Sequence, residues 1–311
     1  MPSVDPRVAH RVLAKAQTFR GKSFKISSMY GKGNEEKCFR VETPSNRLAY
    51  KIRFPAATSR RSVAQEYGAL LLLSQHGVKW IPHLYEVNLD EPSYLVLAFV
   101  EGESLDKSLK WISHAKSIQL RLQQELADIH CIQGESFGHL AGPRYESWQA
   151  FFEVRLWRHV MPLVKALLVS ERDFARIKAL HEEVRESLSE VSPILLHGDV
   201  KPANVIFELS TKKTTLIDFE LSRFGDPDFE WTKLRRMAIR WPEYQQLVSQ
   251  PLLNSLSKIN LTGHSDAKIL LYDIYHACSF LDFELETGLP VAPYRLDDIA
   301  QLLATLRSRV R

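Results

Sequence analysis

The chain has 311 residues, 45% apolar and 25% charged, enough to bury a sizeable core in two lobes or in one large domain. The formal charge of +4 comes from Lys and Arg scattered among the acids, which argues against a nucleic-acid partner. Cys38, Cys131 and Cys278 form no CxxC pair, as expected of a reducing compartment; with no signal-like h-region and no run of the ~18 apolar residues a membrane span needs, the expectation is a cytoplasmic protein without membrane attachment.

In chain order, residues 4–20 alternate like a short amphipathic helix. "FKISSMY", "KCFRVET" and "LAYKIRF" follow as three strand-like pieces separated by "GKGN" and "PSNR", whose Gly, Asn and Pro supply turn chemistry and predict antiparallel pairing. "SRRSVAQEYGALLLLSQHG" has apolar residues at helical spacing with Gly just past its end. "HLYEVNL" and "SYLVLAFV" predict a fourth and a fifth strand. From Ser104 the pattern is mainly helical, as in "SIQLRLQQELADIHCI" and "SWQAFFEVRLWRHVMPLVKALL". The expected architecture is therefore α+β: a sheet-rich lobe over 1–97, a hinge over 98–103 and a mainly helical lobe over 104–311.

The helical region is interrupted by "LLHGDVKPANVIFELSTKKTTLIDFE", residues 195–220. A carboxylate set among such apolar runs is costly unless something there requires it. Asn204 lies five residues after Asp199, and Asp218 fourteen after Asn204. "VIFEL" and "TTLI" can pair as a hairpin that returns Asp218 to Asn204, so that three oxygen-bearing side chains face one point. Such ligands suit Mg²⁺, a hard cation that completes its shell with water and substrate phosphates. Phosphoryl transfer needs one carboxylate to orient an acceptor hydroxyl, and an Asn and a second carboxylate to hold the metal.

"HGDVKPAN" followed by "IDFE" resembles the catalytic loop and metal-binding segment of the aminoglycoside and choline phosphotransferase superfamily, relatives of the protein kinases. The resemblance implies a protein-kinase-like two-lobed fold, with Asp199 as catalytic base, Asn204 and Asp218 on Mg²⁺, His197 aligning the loop and Lys201 near the transferred phosphate. It extends upstream in the same order. Gly31 and Gly33 stand where the family covers the nucleotide phosphates. Lys51, eighteen residues on, and Glu66, fifteen further, match its strand lysine and helix partner. "LVLAFVEGESL" resembles the hinge that holds adenine, through backbone groups of Ala98 and Val100 with Leu97 behind. ATP or GTP is the implied phosphoryl donor.

The acceptor implied is a small molecule with a hydroxyl group. "DFE" replaces the "DFG" of protein kinases, and only sixty-eight residues follow Glu243 of "WPE", short for a protein kinase's helical subdomain. The closest likeness is to hygromycin-type antibiotic phosphotransferases, though amino-sugar, amino-alcohol and homoserine kinases share these motifs. Asp273, Asp282, Glu284 and Glu286, with Glu230 upstream, would suit a cationic acceptor such as an aminoglycoside or else form a solvated helix face. Arg235, Arg236 and Arg240 would favour an anionic one. Trp148, Phe151, Phe152 and Trp157 have the spacing of core residues, and His130 reads as structural.

Overall fold

The computed structural model describes residues 6–28, 36–45, 47–53, 63–90, 93–107, 109–240, 266–288 and 290–309. The expected glycines Gly31 and Gly33, and the "WPE" at 241–243, lie outside them. The chain forms two compact units. The first comprises Met1–Ile129, His139–Gly142 and His197–Ser222, the second His130–Gly138, Pro143–Leu196 and Arg223–Arg311. This division differs from the expected boundary near residues 97–104. Helix α3 (Ala115–His130) and the segment holding Asp199, Asn204 and Asp218 pack with the strand-rich part of the chain.

In the first unit, α1 (Pro6–Leu13) precedes a five-stranded antiparallel sheet. Its strands are β1 (Lys25–Ser28), β2 (Glu36–Glu42), β3 (Arg47–Arg53), β4 (Leu84–Asn88) and β5 (Tyr94–Ala98), in the order β1-β2-β3-β5-β4. All five predicted strands are present. Successive strand residues face opposite sides, so the register sorts the core. Val41 stands opposite Leu48, and Tyr50 opposite Val96. Phe39, Val41, Leu48, Tyr94 and Val96 form one buried cluster with Leu13 and Phe19. Leu95 and Leu97 have the other parity and are also buried, and α2 (Val63–Gln75) packs against their strand. A second sheet orders β10-β9-β6: β6 (Glu103–Ser104) pairs with β9 (Val205–Glu208), and β10 (Lys213–Leu216) forms the hairpin with β9 that the sequence predicted. The chain passes between the units at β7 (Gly138–His139).

The second unit is mainly helical. Helices α4 (Trp148–Lys165) and α5 (Glu171–Glu183) both start on serine caps. Ser147 Oγ accepts from the Ala150 amide and Ser170 Oγ from the Asp173 amide, each at 3.1 Å, satisfying donors that a helix start otherwise leaves open. The short α6 (Arg185–Ser189) leads into β8 (Ile194–Leu196), which pairs antiparallel with β11 (Arg223–Gly225). Three helices complete the unit: α7 (Pro227–Arg240), α8 (Asp266–Thr287) and α9 (Pro293–Arg309). Helix α8 packs against α4, α5, α7 and α9, which accounts for its near-continuous burial. Trp148, Phe151 and Phe152 are core residues, as their spacing predicts; Trp148 and Phe152 are in ring contact with Phe229, Phe152 also with Tyr272, and Phe151 with Trp148. Their polar atoms are provided for: Trp148 donates to the Tyr272 hydroxyl at 2.7 Å, which donates to Asp226 at 2.7 Å, and Lys268 bridges Asp226 and Asp228.

Candidate active site

The loop following β8 turns sharply at Gly198, whose φ of +83° is left-handed. A Cβ there would lie 2.2 Å from the Leu221 carbonyl oxygen, so glycine is the residue this approach admits. The fully buried His197 ties the loop after β8 to the segment after β10. Its Nδ1 accepts from the Asp199 amide at 3.2 Å, which leaves Nε2 to carry the proton and donate to the Ile217 carbonyl at 3.1 Å. Its ring lies 4.5 Å from that of Phe219, and the Ser222 hydroxyl donates to its carbonyl at 3.3 Å.

Asp199 is 5% exposed, and its charge is met on two sides. Lys201 forms an ion pair with Oδ2. Asn204 Nδ2 donates to the main-chain oxygen at 3.0 Å and to Oδ2 at 3.1 Å. The β9–β10 register, from Val205↔Leu216 to Glu208↔Lys213, places Ile217 beside Asn204, whose carbonyl accepts the Ile217 amide at 3.0 Å. Asp218, the next residue, has φ +70°, a left-handed conformation uncommon outside glycine and best tolerated by Asp and Asn. The turn after it is closed by Ser222 N–H to the Phe219 carbonyl at 3.1 Å.

Among the described residues no three His, Cys, Asp or Glu side chains gather as a metal-binding group. The donor set on offer is smaller: the Asn204 amide and the Asp218 carboxylate. Because Asn204 spends its nitrogen on Asp199, Oδ1 is the atom with lone pairs to offer. Two hard oxygen donors fit Mg²⁺, which keeps several waters and takes phosphate oxygens.

Glu66 lies in the first turn of α2 and is 3% exposed. Lys51 is in β3, opposite Cys38 and Leu95, and its side chain lies outside the described residues. Leu97 is buried opposite Ala49 and Leu84. Ala98 and Val100 are half-buried. The Ala98 amide donates to the His83 carbonyl at 2.7 Å, so any base contact by Ala98 falls to its carbonyl.

The acids expected to meet a cationic acceptor are not brought together as an open cluster. Four are buried and matched from within the second unit: Glu230 by His130 Nε2 at 3.0 Å, Asp282 by His159 Nδ1 at 2.7 Å, Glu284 by Arg295 at 2.7 Å and Asp273 by Arg235, while Glu286 is exposed. Arg236 joins Asp273 at 3.5 Å and Asp298 at 3.1 Å, so the expected basic patch is spent on acids too. The Arg240 side chain lies outside the described residues. Burial of unpaired carboxylates is costly, and helix α8 answers it with basic side chains from α4, α7 and α9.

Two of the buried polar residues of the first unit that belong to no motif join segments distant in sequence. Gln65 joins α2 to the Ser222 carbonyl and the Ala141 amide. Glu125 in α3 accepts from Thr214 Oγ1 at 2.9 Å, and its Oε2 is buried without a hydrogen bond. Burial pushes the Glu125 carboxyl up to about 7. Gln65 could have been suspected as an uncharged polar residue beside Glu66 on an otherwise apolar helix; Glu125 has no such signal.

Residues 30–248 match the model of the phosphotransferase enzyme family, and the chain belongs to that family. No curated protein sequence matches the chain. Solved structures share its fold. Aminoglycoside phosphotransferase APH(4)-Ia is 16% identical with a TM-score of 0.68, covering 99% of both chains. A thermostable mutant of that protein, in a ternary complex with AMP-PNP and hygromycin B, is 15% identical with a TM-score of 0.65, covering 96% of this chain and 98% of its own. The choline kinase LicA from Streptococcus pneumoniae is 16% identical with a TM-score of 0.64, covering 97% and 99%. The fold is thus the expected α+β, kinase-like one, and the protein is a phosphotransferase. Among the described residues no helix is long and apolar enough to cross a membrane.

Proposed function

We propose that the protein transfers the γ-phosphoryl group of ATP, or of GTP, to a hydroxyl of a small molecule. The observation that carries this reading is the return of Asp218 beside Asn204, with Asn204 also bonded to the carboxylate of Asp199. That arrangement sets one carboxylate for a hydroxyl next to two oxygen donors for a metal. Asp199 would accept the hydroxyl's hydrogen bond and take its proton late in transfer. Lys201, paired with it, brings a positive charge to where phosphoryl oxygens would lie. His197 fixes the loop by its two bonds. Asn204 and Asp218 would hold Mg²⁺, which when bound neutralises charge on the phosphate oxygens. Lys51 and Glu66 would hold the nucleotide phosphates beneath the Gly31 and Gly33 loop, with Leu97, Ala98 and Val100 at the base.

An antibiotic acceptor is supported by the likeness to APH(4)-Ia. A metabolite kinase acting on an amino sugar, an amino alcohol or a homoserine-like compound is favoured by Glu230, Asp273, Asp282 and Glu284, which are matched internally rather than offered to a polycation. The test is nucleotide consumption with Mg²⁺ across aminoglycosides, these metabolites and a protein substrate, with product mass read for an added phosphate. Phosphate on a small molecule supports the proposal and names the acceptor. Phosphate on the protein substrate alone would overturn it.

A further inference from the structure

Gln65 is 3% exposed and uses both ends of its amide on main-chain groups of other segments. Nε2 donates to the Ser222 carbonyl, and Oε1 accepts from the Ala141 amide at 2.8 Å. A carbonyl only accepts and a backbone amide only donates, so the orientation of the Gln65 amide is fixed by its partners. Gly68, one turn along α2, reinforces the contact: a Cβ there would sit 3.5 Å from Leu140 Cβ, so the Gln65–Gly68 face of the helix rests on the 139–142 segment.

The other partner closes the turn that begins at Asp218. That turn is pinned on one side to the catalytic loop, by Ser222 Oγ on the His197 carbonyl and by the Gly198–Leu221 approach. On the other side it is pinned to α2 by Gln65. The left-handed Asp218 persists only where its surroundings over-determine it.

We infer that Gln65 is a positioning residue that couples α2, and so its neighbour Glu66, to the turn presenting Asp218, making metal-dependent nucleotide binding depend on an uncharged amide outside the catalytic and metal-binding set. This rests on the function proposed above and names a residue that the motifs do not. Gln65→Glu removes the donor to Ser222 and leaves an acceptor for Ala141. Gln65→Met keeps the volume and removes both bonds.

The test titrates a fluorescent ATP derivative into wild type and both variants, with and without Mg²⁺, on protein whose fold is checked by circular dichroism. The expected result is that Mg²⁺-dependent affinity falls about tenfold, the factor that losing roughly one buried hydrogen bond gives, while metal-free affinity stays within about twofold. A purely structural Gln65 would lower the melting temperature and leave the ratio of the two affinities unchanged in the folded variants, which would overturn the inference alone. Wild type that binds no nucleotide would overturn the proposed function and this inference together. Hydrogen exchange on wild type covers the case in which neither variant folds. Adding Mg²⁺ and nucleotide should protect the Ala141 amide together with residues 219–222, and protection of the turn without Ala141 would overturn the coupling.

Discussion

Gly198 and Leu221 approach so closely that a methyl group at 198 would overlap the Leu221 carbonyl, 2.2 Å from its oxygen. Backbone meets backbone here, so no flexible side chain can yield. Gly198→Ala combines a left-handed φ with this overlap and should cost about 3 kcal/mol or more. Urea denaturation would show it as a lower midpoint, and catalytic activity should fall further than stability does because the loop carries Asp199.

Asp199→Asn keeps an oxygen for Asn204 and Lys201 but cannot take a proton. Turnover should drop by about 10²- to 10⁴-fold while nucleotide binding survives. Steady-state rates beside equilibrium nucleotide titration separate the two, and equal turnover in wild type and variant would remove the base assignment.

Asp218→Asn is the informative change at the metal position, because Asn tolerates a φ of +70° while Ala does not. Losing one carboxylate charge should weaken Mg²⁺-dependent nucleotide binding by at least about tenfold with little change in melting temperature. An unchanged Mg²⁺ requirement would move the metal elsewhere.

Glu125 predicts a pH effect on stability. Its folded pKa is raised by burial to about 7, so the folded protein binds this proton more tightly than the unfolded chain. The group costs nothing below about pH 4, its cost grows as pH rises toward 7, and it is constant above that. Glu125→Gln keeps an acceptor for Thr214 and cannot ionise. It should stabilise the protein at pH 8 by a few kcal/mol and leave it nearly unchanged at pH 4.5, as read from urea midpoints at the two pH values.

The sheet and the site's centre were legible for the same reason: both are written in short-range pattern. Alternation gave the five strands, and the spacing from Val205 to Ile217 permits a hairpin that can only bring Asp218 back to Asn204. What escaped is long-range. The acids on α8 look like an exposed binding face until His159, 123 residues before Asp282, and Arg235, 38 before Asp273, are seen to match them. Gln65 escaped because its partners are main-chain atoms, which have no letter in the sequence. The division into units escaped because composition changes near residue 100, whereas packing recruits 139–142 and 197–222 to the earlier part of the chain.

That recruitment has a consequence for biosynthesis. Chains emerge from the ribosome at about 5–20 residues per second, and domains tend to fold as units as they emerge. The five-stranded sheet is complete by Ala98, but its unit lacks 197–222 until the ribosome has passed Ser222. For roughly 6–25 seconds, by that rate, the nascent sheet and α2 wait with Gln65 unanswered by its later partner Ser222. Slow translation or truncation between residues 100 and 222 should therefore yield a partly folded, chaperone-dependent species rather than an independently stable nucleotide-binding half.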